Sequence, residues 1–584
     1  MKTNLPRPRI TRRGYALLLV MVFTAISLTL LTGALRWSSN NANFIDRNNQ
    51  YFNTLAAADA ATEKILTQIT ADYKNVGEAQ VYSRISTYTQ SVPTTSESAY
   101  WNNFQFSDGQ GNNNQVYVGR MLTQTYTPLE SEYSGLSGYA SRYRVVANAK
   151  QIANANAVIK VAVQQEVQLA SIPIFQFAIF YGGDAEFTSA APLYIRGRVH
   201  SNSTIYTGSA SPLIFYADVT SVGTDSSVAR YGYSDFSGQL TFSGSKDTNV
   251  STLSLPIGTN NTAAAVREVL NPPAAGENIN SPIGQQRYYN KAELLVLVAN
   301  NSVSVQVKTP FSTTPTTVPW VNLNGTANAS YFISTNATFT DQRQNKTMLT
   351  TDIDVAKLIT WAATNSQVST TLGAGNPPNL IYLQDTRTKT SSQLSAVRII
   401  NAATLPSRGL TVATPHSLYT KGTFNQPNNA YLGTTTTSNT KPASLVCDAY
   451  TLLSANWSDA ASSGSYTSRD PVNNTTVNAA LLAGNVPSGG NWSGGVHNLP
   501  RLLEDWSGNS YTLNGSLVCL YNSNEATAQF QWPGAYYSAP TRNLSFDLNF
   551  TDPTKLPPGT PELKTLVRAK WVIPPADTIN YTGN

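Results

Sequence analysis

The chain has 584 residues, with 39 Lys and Arg against 33 Asp and Glu, a formal net charge of +6. Charged residues make up 12%, about half the usual share, and hydrophobic residues 41%, which excludes wholesale disorder. Lys2, Arg7, Arg9, Arg12 and Arg13 all stand in the first thirteen residues; without them 34 bases (39 − 5) face 33 acids, a balance of +1 that excludes a broad phosphate-binding surface, so no nucleic acid is expected as a partner.

No residue from Gly14 to Leu35 is charged. As a helix this tract would be ~33 Å long, enough to cross a bilayer core of ~30 Å. The bases ahead of it predict a cytoplasmic N-terminus and an exported remainder. A cleaved signal peptide would show a shorter apolar core and a small-residue cleavage site. Here the tract runs on into Arg36, Trp37 and a helix-compatible stretch, with no proline between Pro8 and Pro93. Further on, Phe44, Tyr51, Leu55, Ala58, Ile65, Ile69 and Tyr73 recur at helical spacing. One helix from about Tyr15 to Tyr73 is predicted, its first half facing lipid and its second half packed on a body. Lys74-Asn75-Val76-Gly77 supplies its stop.

The run Arg12-Arg13-Gly14-Tyr15-Ala16-Leu17-Leu18-Leu19-Val20 resembles the start of type IV pilins and pseudopilins. In that family a basic leader ends in Gly, where the prepilin peptidase cuts, and an apolar helix follows. The resemblance implies processing between Gly14 and Tyr15. The stretch from Phe52 to Ala61 is similar to a region of PilX-type pilus assembly proteins. Two positions depart from the pattern. Tyr15 stands where the family has Phe or Met, and Leu19 where major pilins carry a Glu that pairs with a neighbouring subunit. A minor component, a tip subunit and an uncleaved anchor therefore all stay open, as does a generic single-span anchor.

Beyond the helix the chain reads as mainly β, an α+β protein overall. Residues 76–170 are expected to be mixed loops and strands, with Tyr143–Ala147 and Ile159–Leu169 forming a hairpin. The second segment alternates Val161, Val163, Val167 and Leu169 with Lys160, Gln164, Glu166 and Gln168. Residues 171–400 read as a β-rich unit. In it, Phe175–Tyr181 and Gly197-Arg198-Val199-His200-Ser201-Asn202 resemble a domain of unknown function from bacterial envelope proteins. Thr351 or Asp352 is the expected N-cap of a short helix. Residues 401–584 show short β-branched strands suggestive of solenoid rungs, without a verifiable period, so β-helix and sandwich are both open. A short helix is expected over Asn498–Trp506. An extended Pro-rich wrap is expected over 540–561, with Arg568 and Lys570 in a basic tail.

Chemistry is sparse. His200, His416 and His497 are far apart in sequence and sit in no metal-binding pattern, so turn or strand roles are expected, with no metal and no cofactor. No phosphate-binding loop or serine elbow occurs. Asp352 with Asp354, and Glu504 with Asp505, read as capping or solvated groups rather than acid–base pairs. Cys447 and Cys519 share the pattern Ser-Leu-Val-Cys, which suggests equivalent strand positions. A disulfide between them and two buried thiols are both open.

The expected function is non-enzymatic: a single-pass, pilin-like structural protein of the bacterial inner membrane. Its partners would be membrane lipid, other pilin-like subunits and prepilin peptidase, with surface glycans as targets of adhesion. The other reading is a membrane-tethered carbohydrate-binding or carbohydrate-active β-helix protein, which no catalytic cluster supports.

Overall fold

A computed structural model describes residues 15–153, 158–188, 192–226, 239–319, 331–469, 472–487, 493–530 and 534–577. A long N-terminal helix leads into a β-rich body. Helix α1 runs unbroken from Tyr15 to Asn75, ~90 Å at 1.5 Å per residue. It stops where Gly77 takes a φ of 122°, a conformation that side-chain-bearing residues rarely adopt.

The second half of α1 packs on an antiparallel sheet. Its strands are β1 (Phe104–Ser107), β2 (Tyr117–Pro128), β3 (Ser137–Gln151) and β4 (Lys160–Pro173), joined at the edge of β4 by a strand from the far end of the chain. The expected hairpin is β3–β4, with Val145 opposite Gln165. Ala58, Ile65, Ile69 and Tyr73 of α1 are buried against Tyr143, Val145, Val163, Val167 and Leu169. The alternation of β4 thus puts one face on the helix. The predicted stripe starts late, however: Phe44 is exposed, and burial begins at Gln50 and Thr54.

After β4 the chain enters a parallel solenoid. Its first arm comprises β5 (Ile179–Tyr181), β6 (Ala185–Glu186), β7 (Leu193–Ile195), β8 (Val199–Ser201), β9 (Ile205–Tyr206) and β10 (Leu213–Phe215). It continues through β11 (Val219–Ser221), β12 (Asp225–Ser226), β13 (Leu240–Phe242) and β14 (Lys246–Thr248). Ile179, Val199 and Val219 stack in register, as do Leu193 and Leu213, and Ala185 and Ile205. Each turn is therefore a three-sided coil; His200 and Thr220, 20 positions apart, are hydrogen-bonded neighbours on successive turns.

Residues 249–293 then carry the chain along the outside to the opposite end. There β15 (Leu294–Ala299), β16 (Ser302–Val307) and β17 (Thr316–Val318) form antiparallel neighbours. The second arm winds back through β18 (Ile333–Ser334), β19 (Thr338–Asp341), β20 (Lys346–Asp354), β21 (Leu380–Asp385), β22 (Gln393–Ile400) and β23 (Leu410–Ala413). It continues through β24 (Ser417–Lys421), β25 (Ala443–Cys447), β26 (Ala449–Leu453), β27 (Thr475–Ala483) and β28 (Ser510–Cys519). Strand β28 docks in parallel on β5, which closes both arms into one sheet. The twelve strands on its path span about 50 Å at ~4.8 Å spacing.

One aliphatic ladder runs inside this sheet: Val219, Val199, Ile179, Leu517, Leu481, Leu445, Val412, Ile381 and Leu294. The alternate positions Phe180, Val518, Leu482, Val446, Tyr382 and Leu295 face outward. They are covered by Leu253, Leu255, Val266, Leu270 and Tyr288 of the 249–293 connection. Burial on both faces is why these strands read as continuous apolar runs rather than as alternating ones.

Several expectations need correction. Of the two open architectures the body is a solenoid, and its winding begins near residue 179, ahead of residues 401–584 where rungs were expected. The expected division at 400/401 falls between β22 and β23, inside the winding. Asp354, not Thr351 or Asp352, caps the helix Val355–Thr364 by accepting from the Lys357 amide at 3.0 Å. In place of a helix over 498–506 there is a short 3-10 turn at Gly495–Asn498, followed by irregular chain. The Pro-rich segment is partly strand: β29 (Thr541–Phe546) pairs with β28. The supposed basic tail is β30 (Glu562–Val572), which pairs antiparallel with β4 and completes the first sheet.

Candidate membrane and assembly site

In the first half of α1 every side chain from Tyr15 to Leu35 is exposed. Among the described residues this is the one helix long and apolar enough to cross a membrane. Its threonines are self-satisfied. Thr24, Thr29 and Thr32 donate to the carbonyls of Val20, Ala25 and Leu28 at 2.6–2.7 Å. A hydroxyl that bonds within its own helix needs no water. Exposed Trp37, Phe44, Ile45 and Phe52 continue the apolar surface past Arg36. Tyr15 is the first described residue; Gly14 and the basic leader lie outside the described residues.

The second half of the helix is pinned to the last strand by polar contacts. Asp59 and Glu63, one helical turn apart, face β30. Arg568 donates to both oxygens of Glu63 at 2.6 and 2.7 Å and to Gln165 of β4 at 2.7 Å. Trp571 Nε1 donates to Asp59 at 2.8 Å. The Arg568 guanidinium holds the Glu63 carboxyl below its usual range, against partial burial. At the base of the helix, Asp72 accepts from Tyr88 at 2.5 Å and from Arg84 at 2.8 Å. Gln165 and Trp571 escaped the sequence reading, and Arg568 was read only as part of a basic tail. Their one legible signal was the Asp59–Glu63 pair, whose i,i+4 spacing on a helix implies a facing cation.

The structure brings none of the histidines together. His200 is fully buried, stacked on Phe180 and bonded to Thr220 at 2.8 Å and Asn202 at 3.1 Å. Burial lowers its pKa to about 4, so it is a neutral structural residue. Burial, with Arg542 nearby, likewise takes His497 down to about 3. His416 accepts from the Asp385 amide at 3.1 Å and lies 2.7 Å from Glu525. Among the described residues no group of three His, Cys, Asp or Glu is arranged to hold a metal.

The carboxylates are structural as well. Asp352 is buried on Arg398 at 2.7 and 3.0 Å, which is an ion pair and not the expected solvated group. Glu504 is buried and accepts twice from Ser454 at 2.7 Å, and burial raises its pKa. Cys447 and Cys519 occupy equivalent ladder positions, as their shared pattern suggests, but Ala483 stands between them. Two strand spacings, ~9.6 Å, exceed the reach of a disulfide. The open alternative is settled here as two buried free thiols.

No family model and no curated relative matches the chain. Among solved structures, the competence-associated pilin ComZ from Thermus thermophilus is similar at 11% identity and a TM-score of 0.27, over 90% of this chain and 97% of that one. A score that low transfers no role from one chain to the other.

Proposed function

We propose that the chain is a non-enzymatic, pilin-like structural protein, anchored in the bacterial inner membrane by α1 and acting as a minor component or assembly factor of a type IV pilus or a related secretion filament. The observation that carries this reading is the division of one uninterrupted helix. Its first half is apolar and exposed on all sides, and its second half is buried on an antiparallel sheet. Such a helix partitions into lipid or packs laterally on copies of itself, and the sheet behind it holds the body at a fixed distance from the membrane. With Leu19 in the helix there is no acid between Tyr15 and Leu35 to pair with a neighbour's terminal amine, which favours a minor role over a bulk subunit.

N-terminal sequencing of the membrane-bound protein tests processing. A start at Tyr15, abolished by Gly14→Ala, is the expected result, and a start at Met1 makes the helix an uncleaved anchor. Release of the protein from membranes by high salt or alkaline carbonate without detergent would sink the anchored reading altogether.

A further inference from the structure

The outer surface of the first solenoid arm carries a feature that membrane anchoring does not use. Strand β29 leaves the sheet edge beside β7, and a cleft of about 490 Å³ opens between them. Tyr194, Arg196, Thr434, Arg542, Asn543 and Ser545 are on its wall. None of the twelve lining residues is acidic. Neither arginine has a carboxylate within ion-pair distance among the described residues. Arg196 instead lies over the ring of Tyr216, 4.5 Å from its centroid. Arg542 sits near Tyr511 and Tyr537.

The chain past the leader is nearly neutral, and Arg198 and Arg398 are matched to Asp218 and Asp352, whereas Arg196 is exposed and Arg542 half-buried on a wall that holds no acid. Two tyrosines beside the cleft, Tyr194 and Tyr216, are 45% and 41% exposed although they stand on a regular solenoid face. Alternation explains their direction: Leu193, Ile195 and Phe215 point into the core, so Tyr194, Arg196 and Tyr216 point out together.

We propose that this cleft binds an acidic oligosaccharide, a uronate-containing glycan. A guanidinium fork matches a planar carboxylate in two parallel hydrogen bonds. Exposed tyrosine rings offer flat amphipathic surfaces for sugar faces. The threonine, serine and asparagine groups of the wall match sugar hydroxyls. A nucleic-acid strand fits less well, because it calls for a run of cations along its backbone, and the cleft has two. The proposal stands independently of the membrane reading, since the cleft belongs to the solenoid and not to α1.

The test uses the full chain in detergent micelles, titrated with an oligogalacturonate, a neutral malto-oligosaccharide of equal length and a single-stranded oligothymidylate. The uronate is expected to bind more tightly than either comparator. Arg196→Gln should weaken it about tenfold, as loss of a charge-assisted pair does. Arg196→Lys should recover only part of the loss, and Tyr194→Ala should weaken it without altering the melting temperature. A cleft that ignores the uronate, binds the neutral sugar equally, or prefers the oligonucleotide overturns the proposal. So does uronate binding that survives Arg196→Gln combined with Arg542→Gln in a variant whose melting curve matches the parent.

Discussion

Ser171 donates a 2.5 Å hydrogen bond to Glu562 across 391 positions of chain. Two residues beyond Ser171, Pro173 stands directly opposite Glu562 on the neighbouring antiparallel strand. The whole solenoid is therefore inserted between two adjacent strands of the sheet that carries α1. The two ends of the insertion leave that sheet side by side, at the ~5 Å separation of an antiparallel pair.

The first prediction concerns that junction. Joining Pro173 to Glu562 through a short hairpin turn, with residues 174–561 removed, should leave a folded unit of α1 and the five-stranded sheet. Circular dichroism in detergent should show cooperative melting with helix and strand signals retained. A non-cooperative melt would mean that the sheet depends on the solenoid for its stability.

The second concerns Asp448, buried at a corner between β25 and β26. It accepts from Arg267 at 2.7 and 2.9 Å and from the amides of Asn524 and Glu525 at 2.8 and 3.0 Å. Burial pushes its pKa up, but Arg267, Ser523 and those amides outweigh it and hold the carboxyl below its usual range. Asp448→Ala should cost about 3–5 kcal/mol in a denaturant titration, because it strands Arg267 in the interior. A depressed folded-state pKa contributes stability above the unfolded value of about 3.9. In the parent that contribution should disappear as pH falls below this value, through the folded-state pKa. The Ala variant should lack that portion of the acid transition.

The third concerns the thiols. Burial raises Cys447 and pushes Cys519 up to about 12. Both should resist a maleimide in the native protein and react in denaturant, with no mobility shift on reduction. Protection in denaturant that reductant lifts would reveal a disulfide after all.

The fourth concerns the membrane. Leu28→Arg places a charge near the middle of the apolar half of α1, which costs about 2.5–3.5 kcal/mol of insertion free energy. The membrane-bound fraction should fall, while Phe44→Arg, beyond the tract, should leave it unchanged.

The helix was legible because its signals are local: an uncharged tract, a stripe at helical spacing and a glycine stop. The hairpin was legible because one face of β4 meets α1 and alternates. The solenoid period was hidden by chemistry. Inside positions repeat as Ile179, Val199 and Val219, but the outward neighbours Phe180, His200 and Thr220 differ in chemistry, because they satisfy one another: His200 stacks on Phe180 and bonds Thr220. The role of β30 could not be read at all, since pairing with β4 is decided by contacts hundreds of residues apart. Of the candidate site, the apolar span was visible and Tyr15 was placed at its start, whereas the Arg568–Glu63 and Trp571–Asp59 contacts exist only once β30 has returned to the sheet.

That return has a mechanical side. In the proposed anchored protein, any pull between the membrane and the body passes through α1 into the first sheet and leaves by two covalent strands at once, β4 and β30. The solenoid thus hangs from a double tether whose two ropes are already bonded to each other at the knot. Strands β5 and β29, next along the chain from β4 and β30 and both paired with β28, take up the tension first. The outer turns of both arms lie off the force path and can meet a surface without being stretched.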